Sequence, residues 1–560
     1  MKESRGSGSS RAAARDCDAC CDYVNVMAIK IWRRVSTSFL IHHTHHDAVL
    51  AQPTLVHAAT AQTTQTVVTQ ISFLPRPHFL FLLLLPYSSM TSLLTSTRLS
   101  RAADCLAWCS QRRKDIPASS SKDACPYSFL ESVTPFDHGV FDWGIGLKAA
   151  RSVAKNEQFC SLPTRWAWSG LSCNTDPIIG SLLRKFQGKI RTDDLIAIKL
   201  ALHKHLGNES PWFEHIQVLP TTYDSVLFWS KEELLELEGT NTYQLAVALQ
   251  QQVHADYQEL MGYMMHQDKE VADASNSKEN GWMMFFTIEN YMWALGTLYS
   301  RGHDFVRGKG NNEQFRCMLP GIDFLNMATS EKEANVEVRL VGNRVDLVAL
   351  KECTEGEELR VIYNKDLPNN RLLHLHGFVV TPNPLSYVPL YCELSPDAPM
   401  YKAKMTALKG IFKAGTFFKL QLNDPIPDTL LYTLAVQRAS SPNELRSMVD
   451  GEGGGGNREM ILRELVLALT QMLAGYKTTE SVDQEILEEQ KNEHEQVTSV
   501  LSVTKRRLRL ATRLRYDEKQ ILRKGMSVLM DMLSGCRGNA SSSEDSDSSE
   551  SEDGVGDIDA

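Results

Sequence analysis

Hydrophobic and polar positions change period several times along the chain, and each change predicts a change of element. From about Ser128 short alternating runs appear, as in Gly144-Ile-Gly-Leu-Lys-Ala-Ala-Arg-Ser-Val and then Glu157-Gln-Phe-Cys-Ser-Leu-Pro163. They read as short strands joined by turns. Between Asp193 and Tyr299 the spacing is helical: Leu195, Ile198, Ala201 and Leu202 share one face, as do Leu245, Ala248, Leu249 and Val253. Strand text returns at Val336–Leu340 and Arg344–Leu350, and the Gly342-Asn343 pair between them predicts a hairpin. Leu359–Tyr363 predicts another strand, reached through a Glu355-Gly356-Glu357 turn. After about Pro389 the pattern is mainly helical, over Met400–Phe412, Glu459–Leu473 and a highly charged stretch from roughly Val482 to Met530. The expected fold class is therefore α+β: short sheets split by a helical insert at about 190–300, followed by an all-α domain.

Residues 1 to about 115 lack such periodicity. A Ser/Gly/Arg/Ala stretch opens them, a Thr/Gln/Ala stretch follows, and seven acids face thirteen bases. They are expected to be a largely disordered or targeting leader. Met90 offers a second start, so the text after it reads either as an organelle-targeting segment or as the first helix of the folded protein. The apolar run Phe79–Leu85 is too short to span a bilayer. At the other end, Asn539–Ala560 holds eight acids and no base, which predicts a disordered tail over 536–560.

Composition narrows the function. The net charge of −9 lies almost wholly in that tail, so the body is near neutral and nucleic-acid coating is a poor reading. Hydrophobic residues at 42% allow an ordinary packed core. Twelve scattered cysteines predict buried thiols in an intracellular protein rather than a disulfide scaffold. Cys17, Cys20 and Cys21 upstream of His42, His43, His45 and His46 supply zinc-ligand types, but no second spaced pair completes a pattern, and no metal is expected. No phosphate loop or hydrolytic triad order stands out.

Several segments taken together resemble one family, the SET-domain protein methyltransferases of the Rubisco large-subunit methyltransferase type. These are Gly144–Arg151 with Leu162-Pro163; Trp212, Leu219-Pro220, Phe228-Trp229 and Glu238-Gly239-Thr240; Trp293–Arg301; Leu319-Pro320 with Asp323-Phe-Leu-Asn326; Gly356–Tyr363; Gly377-Phe378; and, later, Ile426–Leu431 and Ala511–Leu522. The likeness runs from about 128 to 530. It implies a SET domain over 116–388 and a helical substrate-binding domain over 389–535.

The implied activity is methyl transfer from S-adenosyl-L-methionine to a protein side chain, with lysine as the default acceptor. The resemblance makes Tyr363 the catalytic residue that orients the attacking amine, although its spacing alone suits a half-buried strand tyrosine. It assigns Gly146, Leu147, Arg301, Asn326, Met327 and Phe378 to the cofactor, and His303 to the acceptor channel. The implied partner is a protein substrate docked on the C-terminal helices of a monomer; no nucleic acid or membrane span is expected. A cytoplasmic or nuclear location is expected, with a plastid or mitochondrion as the alternative through the leader.

Three positions depart from the family pattern: Met327 follows Asn326 in place of histidine, Asn364 follows Tyr363 in place of glycine, and His376 precedes Gly377-Phe378 in place of tyrosine. They keep open a catalytically silent adaptor, and His303 keeps open a histidine acceptor.

Overall fold

The alternating runs do form strands, and most pair across long sequence separations. The computed structural model describes residues 87–112, 128–138, 144–272, 284–307, 313–411, 416–449, 457–496 and 502–544. The chain divides into two compact units, one of Met1–Tyr223, Gln251–Lys365 and His494–Ser502, the other of Asp224–Gln250, Asp366–Glu493 and Val503–Ala560.

The first unit holds β1 (Val133–Asp137), β2 (Ile145–Ala149), β3 (Gln158–Pro163), β4 (Trp168–Ser169), β5 (Gly302–Arg307), β6 (Glu313–Met318), β7 (Asn326–Met327), β8 (Val336–Val341), β9 (Arg344–Ala349) and β10 (Arg360–Val361). The predicted hairpin is present: β8 and β9 pair antiparallel across a turn in which Gly342 takes φ +60°. β3 extends that sheet on the other side of β9, whereas β2 pairs with β1, so the two opening runs lie in different sheets. β4, β6 and β5 form a third sheet. β7 and β10 pair parallel over two residues only, which is why the strand expected over Leu359–Tyr363 is shorter than its sequence pattern.

Helices pack around these sheets. They are α1 (Tyr87–Arg112), α2 (Thr192–Leu206), α3 (Asn241–Ala272), whose start belongs to the second unit, and α4 (Ile288–Arg301). Asp194 through His203 of α2 are all buried, as in a helix enclosed on every side. Its polar members are partnered: His203 Nε2 meets Asp176 Oδ2 at 2.8 Å and its Nδ1 meets Ser210 Oγ at 3.0 Å. Lys199 stands over the Trp212 ring at 3.8 Å.

α1 fits the alternative reading in which the text after Met90 is the first helix of the folded protein, and it places a packed helix inside the stretch drawn as a largely disordered or targeting leader to about residue 115. Ala102, Cys105, Leu106 and Cys109 are fully buried at i, i+3, i+4 and i+7 spacing. Trp108 donates from Nε1 to Pro211 O at 3.1 Å and meets Trp166 edge-on at 5.3 Å. Losing the burial of Leu106 and Trp108 alone costs about 3 kcal/mol or more. A chain begun at residue 116 should therefore melt roughly 6–12 °C below one begun at residue 86. Scanning calorimetry that gives equal midpoints would refute this role.

The second unit contains α5 (Asp428–Arg438), α6 (Arg458–Ala474), α7 (Glu480–Gln496), whose last three residues belong to the first unit, and α8 (Val503–Glu544); Leu430, Leu462, Leu469, Leu522 and Leu529 join α5, α6 and α8 in one core. It also holds an antiparallel pair, β11 (Tyr387–Tyr391) and β12 (Phe417–Gln421). The charged stretch expected as one helix is two, and the backbone of α8 continues to Glu544, into the expected tail. Each added residue of an existing helix gains a hydrogen bond without a new nucleus. Part of the expected insert belongs here too. Trp229, Leu234, Leu237 and Ala246 share a core with Ala511 and Leu514, and Arg507 donates to Phe228 O at 2.8 Å and to Glu233 at 2.6 Å.

Within this unit Tyr476 donates to the buried Glu518 at 2.8 Å. Burial pushes the Glu518 carboxyl from 4.5 up to about 8. Between those values the folded state keeps a proton that the unfolded chain releases, so stability contributed below the ordinary value is lost as pH rises toward 8. Glu518→Gln should flatten the decline in melting midpoint between pH 5 and 8. An unchanged slope would show that Glu518 does not titrate there.

Among the described residues no helix is long and apolar enough to cross a membrane. Cys105, Cys109, Cys160, Cys173, Cys317, Cys353 and Cys392 are free and buried. Cys17, Cys20, Cys21 and the neighbouring histidines lie outside the described residues.

Candidate active site

One four-residue run, Asp323 to Asn326, gathers most of the predicted residues. α4 starts at Thr287, whose hydroxyl accepts from Asn290 N–H, and it ends on Arg301, so the helix delivers that guanidinium at its last turn. Arg301 Nη1 donates to Asp323 O at 2.9 Å and approaches Asp323 Oδ2 at 3.3 Å. Tyr363, two residues past β10, donates its phenol to Leu325 O at 2.9 Å. Asn326, at the start of β7, is buried and points its amide toward β2.

Gly146 explains that approach. It sits opposite Phe136 in the β1–β2 pair, and a Cβ there would lie 2.7 Å from Asn326 Nδ2 and 2.7 Å from the Phe136 ring. Only hydrogen fits. Leu147 is fully buried, and its carbonyl accepts from Leu359 N–H at 2.8 Å, which ties β2 to the Gly356 turn. Met327 is buried and pairs with Val361. It brings no ring hydrogen bond, yet an imidazole does stand at Asn326, that of His138 at 2.9 Å.

Electrostatics follow from burial. Burial alone would raise the Asp323 carboxyl, but His215 and Arg301 hold it below the usual carboxylate range. Trp168 Nε1–H donates to His215 Nδ1 at 2.9 Å, which makes that nitrogen an acceptor and leaves Nε2–H to donate to Asp323 Oδ2 at 3.1 Å. Burial opposes the Arg301 charge, but Asp323 and the flanking Tyr223 and Tyr363 outweigh it and raise its pKa. Burial pushes both phenols, Tyr223 and Tyr363, up to about 12, so each stays neutral.

His303 is on β5 rather than in a surface loop, mostly buried, with its ring parallel to Phe305 at 6.2 Å. Burial lowers its pKa and keeps it neutral. Three buried atoms, Arg301 Nε, Asp323 Oδ1 and His303 Nδ1, make no hydrogen bond among the described residues. That spare donor and acceptor capacity suits a zwitterionic amino-acid end, so the residues fit the implied cofactor.

Phe378 belongs to the second unit, half-buried and 5.9 Å from the His376 ring. Gly377 takes φ +78°, and a Cβ on it would lie 2.5 Å from Ser225 N, so glycine is required. The departure at Asn364 makes no backbone demand: among described non-glycine residues only Asn156 and Met400 have positive φ.

Tyr223, Asp323, His215 and His138 were not among the expected site residues. Asp323 lies inside a quoted motif. The others are joined to the site only by tertiary structure.

A family model described as Rubisco LSMT substrate-binding matches residues 395–522. A chain solved as Rubisco LSMT bound to AdoMet superposes with a TM-score of 0.57 at 19% identity, over 80% of this chain and 97% of that one. The SET domain of LSMT bound to lysine and AdoHcy does so with a TM-score of 0.57 at 19% identity, over 79% and 93%. The fold is the SET fold of the Rubisco LSMT type.

Sequence relatives agree with it. The chain is 24% identical over 406 residues to the chloroplastic [fructose-bisphosphate aldolase]-lysine N-methyltransferase of Arabidopsis thaliana, covering 69% of this chain and 77% of that protein. It is 24% identical over 420 residues to the chloroplastic Rubisco large subunit N-methyltransferase of Nicotiana tabacum, covering 71% and 78%. Over 411 residues it is 24% identical to the actin-histidine N-methyltransferase of Danio rerio, covering 69% and 63%.

Proposed function

We propose that this protein is an S-adenosylmethionine-dependent methyltransferase that methylates a protein side chain, with a lysine amine as acceptor. The observation that carries this reading is the convergence of Arg301, Tyr363 and Asn326 on the Asp323–Asn326 run of an LSMT-type SET fold. When bound, the cofactor supplies a sulfonium methyl for in-line displacement.

The chain's residues do the remaining work. Arg301 Nε, which has no hydrogen-bond partner among the described residues, binds the cofactor's carboxylate, while Gly146 lets Asn326 sit close to β2. Tyr363 donates its hydrogen to Leu325 O, and that bond fixes the phenol oxygen to orient the acceptor amine. That amine must be neutral to attack, against an ordinary lysine value near 10.4, and a dry pocket beside a cation lowers it. His303 completes the proposed acceptor channel.

The protein substrate docks on the helical domain, drawn over 389–535 and overlapping the matched 395–522. We further propose that the protein acts as a monomer inside the cell, in cytoplasm or nucleus, unless residues before α1 direct it to an organelle. A histidine acceptor is the second reading, favoured by the likeness to actin-histidine N-methyltransferases.

Incubation of the purified protein with methyl-labelled cofactor and a cell extract, followed by mapping of the labelled residue, tests all of this. Label on lysine supports the main reading and label on histidine the second. Cofactor binding with no transfer to any protein would leave the adaptor instead.

A further inference from the structure

The amide of Asn326 is held from two sides. Its Nδ2 donates to Glu358 Oε1 at 3.0 Å and lies 2.9 Å from His138 Nε2, which is itself 2.9 Å from the same carboxylate oxygen. An ionised carboxylate only accepts, so the triangle is satisfied when Glu358 Oε1 takes one N–H from the amide and one from the imidazole. Turning the amide over would set two oxygens 3.0 Å apart, which fixes its nitrogen end toward Glu358. Arg360 occupies the other Glu358 oxygen at 2.9 and 2.6 Å. These contacts hold the Glu358 carboxyl below its ordinary range although burial alone would raise it. Gly146 lies so close to the same nitrogen that a Cβ there would come within 2.7 Å of it. Among the described residues no group donates to Asn326 Oδ1.

We infer that His138 and Glu358 are positioning residues that act through Asn326, fixing its carbonyl oxygen as the acceptor for an N–H donor of the bound cofactor. This rests on the reading that S-adenosylmethionine binds beside Arg301 and Asn326. The cofactor has two such donors, the purine amine and the ammonium of its methionine end. His138 lies outside the motifs that carry the family resemblance and reaches the site from the end of β1, where His138 N–H donates to Gly144 O at 3.1 Å.

The test is calorimetric binding of S-adenosylhomocysteine and of 5′-methylthioadenosine, which keeps the purine but lacks the ammonium, to the full chain and its variants. Glu358→Gln and Asn326→Ala should each weaken S-adenosylhomocysteine by about tenfold, and His138→Ala by a smaller factor. Asn326→Asp sets two carboxylates together and should lose as much. Asn326→Asp combined with Glu358→Gln should recover most of the affinity, since the contact is restored with reversed polarity and an oxygen is again offered. Equal losses with methylthioadenosine assign the donor to the purine amine, and losses confined to S-adenosylhomocysteine assign it to the ammonium. Melting midpoints are read alongside, and His138→Ala, at a half-buried ring, carries the test if Glu358→Gln unfolds. Unchanged affinity in His138→Ala and Glu358→Gln, or no recovery in the folded double variant, overturns the inference and leaves the cofactor reading standing. Failure of the unaltered protein to bind S-adenosylhomocysteine overturns both.

Discussion

Tyr363→Phe should lower kcat about 100-fold while leaving cofactor affinity within a factor of about two. The expectation comes from how the phenol is held. Its hydrogen is committed to Leu325 O at 2.9 Å, and burial pushes its pKa up to about 12. It therefore remains neutral through the physiological range and cannot serve as a general base. What it offers is an oxygen fixed in place, and misplacing a nucleophile by about 1 Å costs on the order of 100-fold. Phenylalanine keeps the ring's packing and removes the hydroxyl with its bond to Leu325 O, so the loss should fall on kcat rather than KM. Single-turnover methylation beside calorimetric cofactor binding checks both halves. A variant with full turnover would remove Tyr363 from the reaction. A fall in cofactor affinity equal to the fall in rate would mean that the tyrosine supports the pocket rather than the acceptor.

Parts of this architecture were legible in the sequence because they depend on local rules. Gly342-Asn343 between two alternating runs specifies the β8–β9 hairpin, and the motif order placed Arg301, Asn326 and Tyr363 on elements that meet. What stayed hidden depends on partners far away in the chain. The buried face of α1 is built from Ala102, Cys105, Leu106 and Cys109, two of them small thiols in a Ser- and Arg-rich text, so its stripe carries little hydrophobic contrast. β10 is short because β7, not its own pattern, sets the length of the ladder. The alternation of β11 is broken by Pro389, which is buried next to Val388. His138 and His215 carry no local signal at all. Each becomes meaningful only when folding brings it to a carboxylate, Glu358 at 2.9 Å and Asp323 at 3.1 Å.

Arg301→Ala should weaken S-adenosylhomocysteine binding by roughly 10- to 100-fold, equivalent to about 1.5–3 kcal/mol for a hydrogen bond to a charged partner in a desolvated site. Two effects point the same way. The Nε of Arg301 is buried and has no hydrogen-bond partner among the described residues, so it is the donor available to a ligand carboxylate. Removing the guanidinium also strips Asp323 of the cation that helps keep it ionised, which leaves a buried carboxylate with the neutral His215 ring as its remaining close partner. Arg301→Lys separates these effects. A lysine retains a positive charge beside Asp323 but presents a point charge instead of a fork, so it keeps the carboxylate ionised without restoring the Nε donor. The lysine variant should therefore hold its melting midpoint near that of the unaltered protein and still bind S-adenosylhomocysteine more weakly. Full affinity in Arg301→Lys would show that Arg301 contributes charge alone, and full affinity in Arg301→Ala would place it outside the cofactor site altogether.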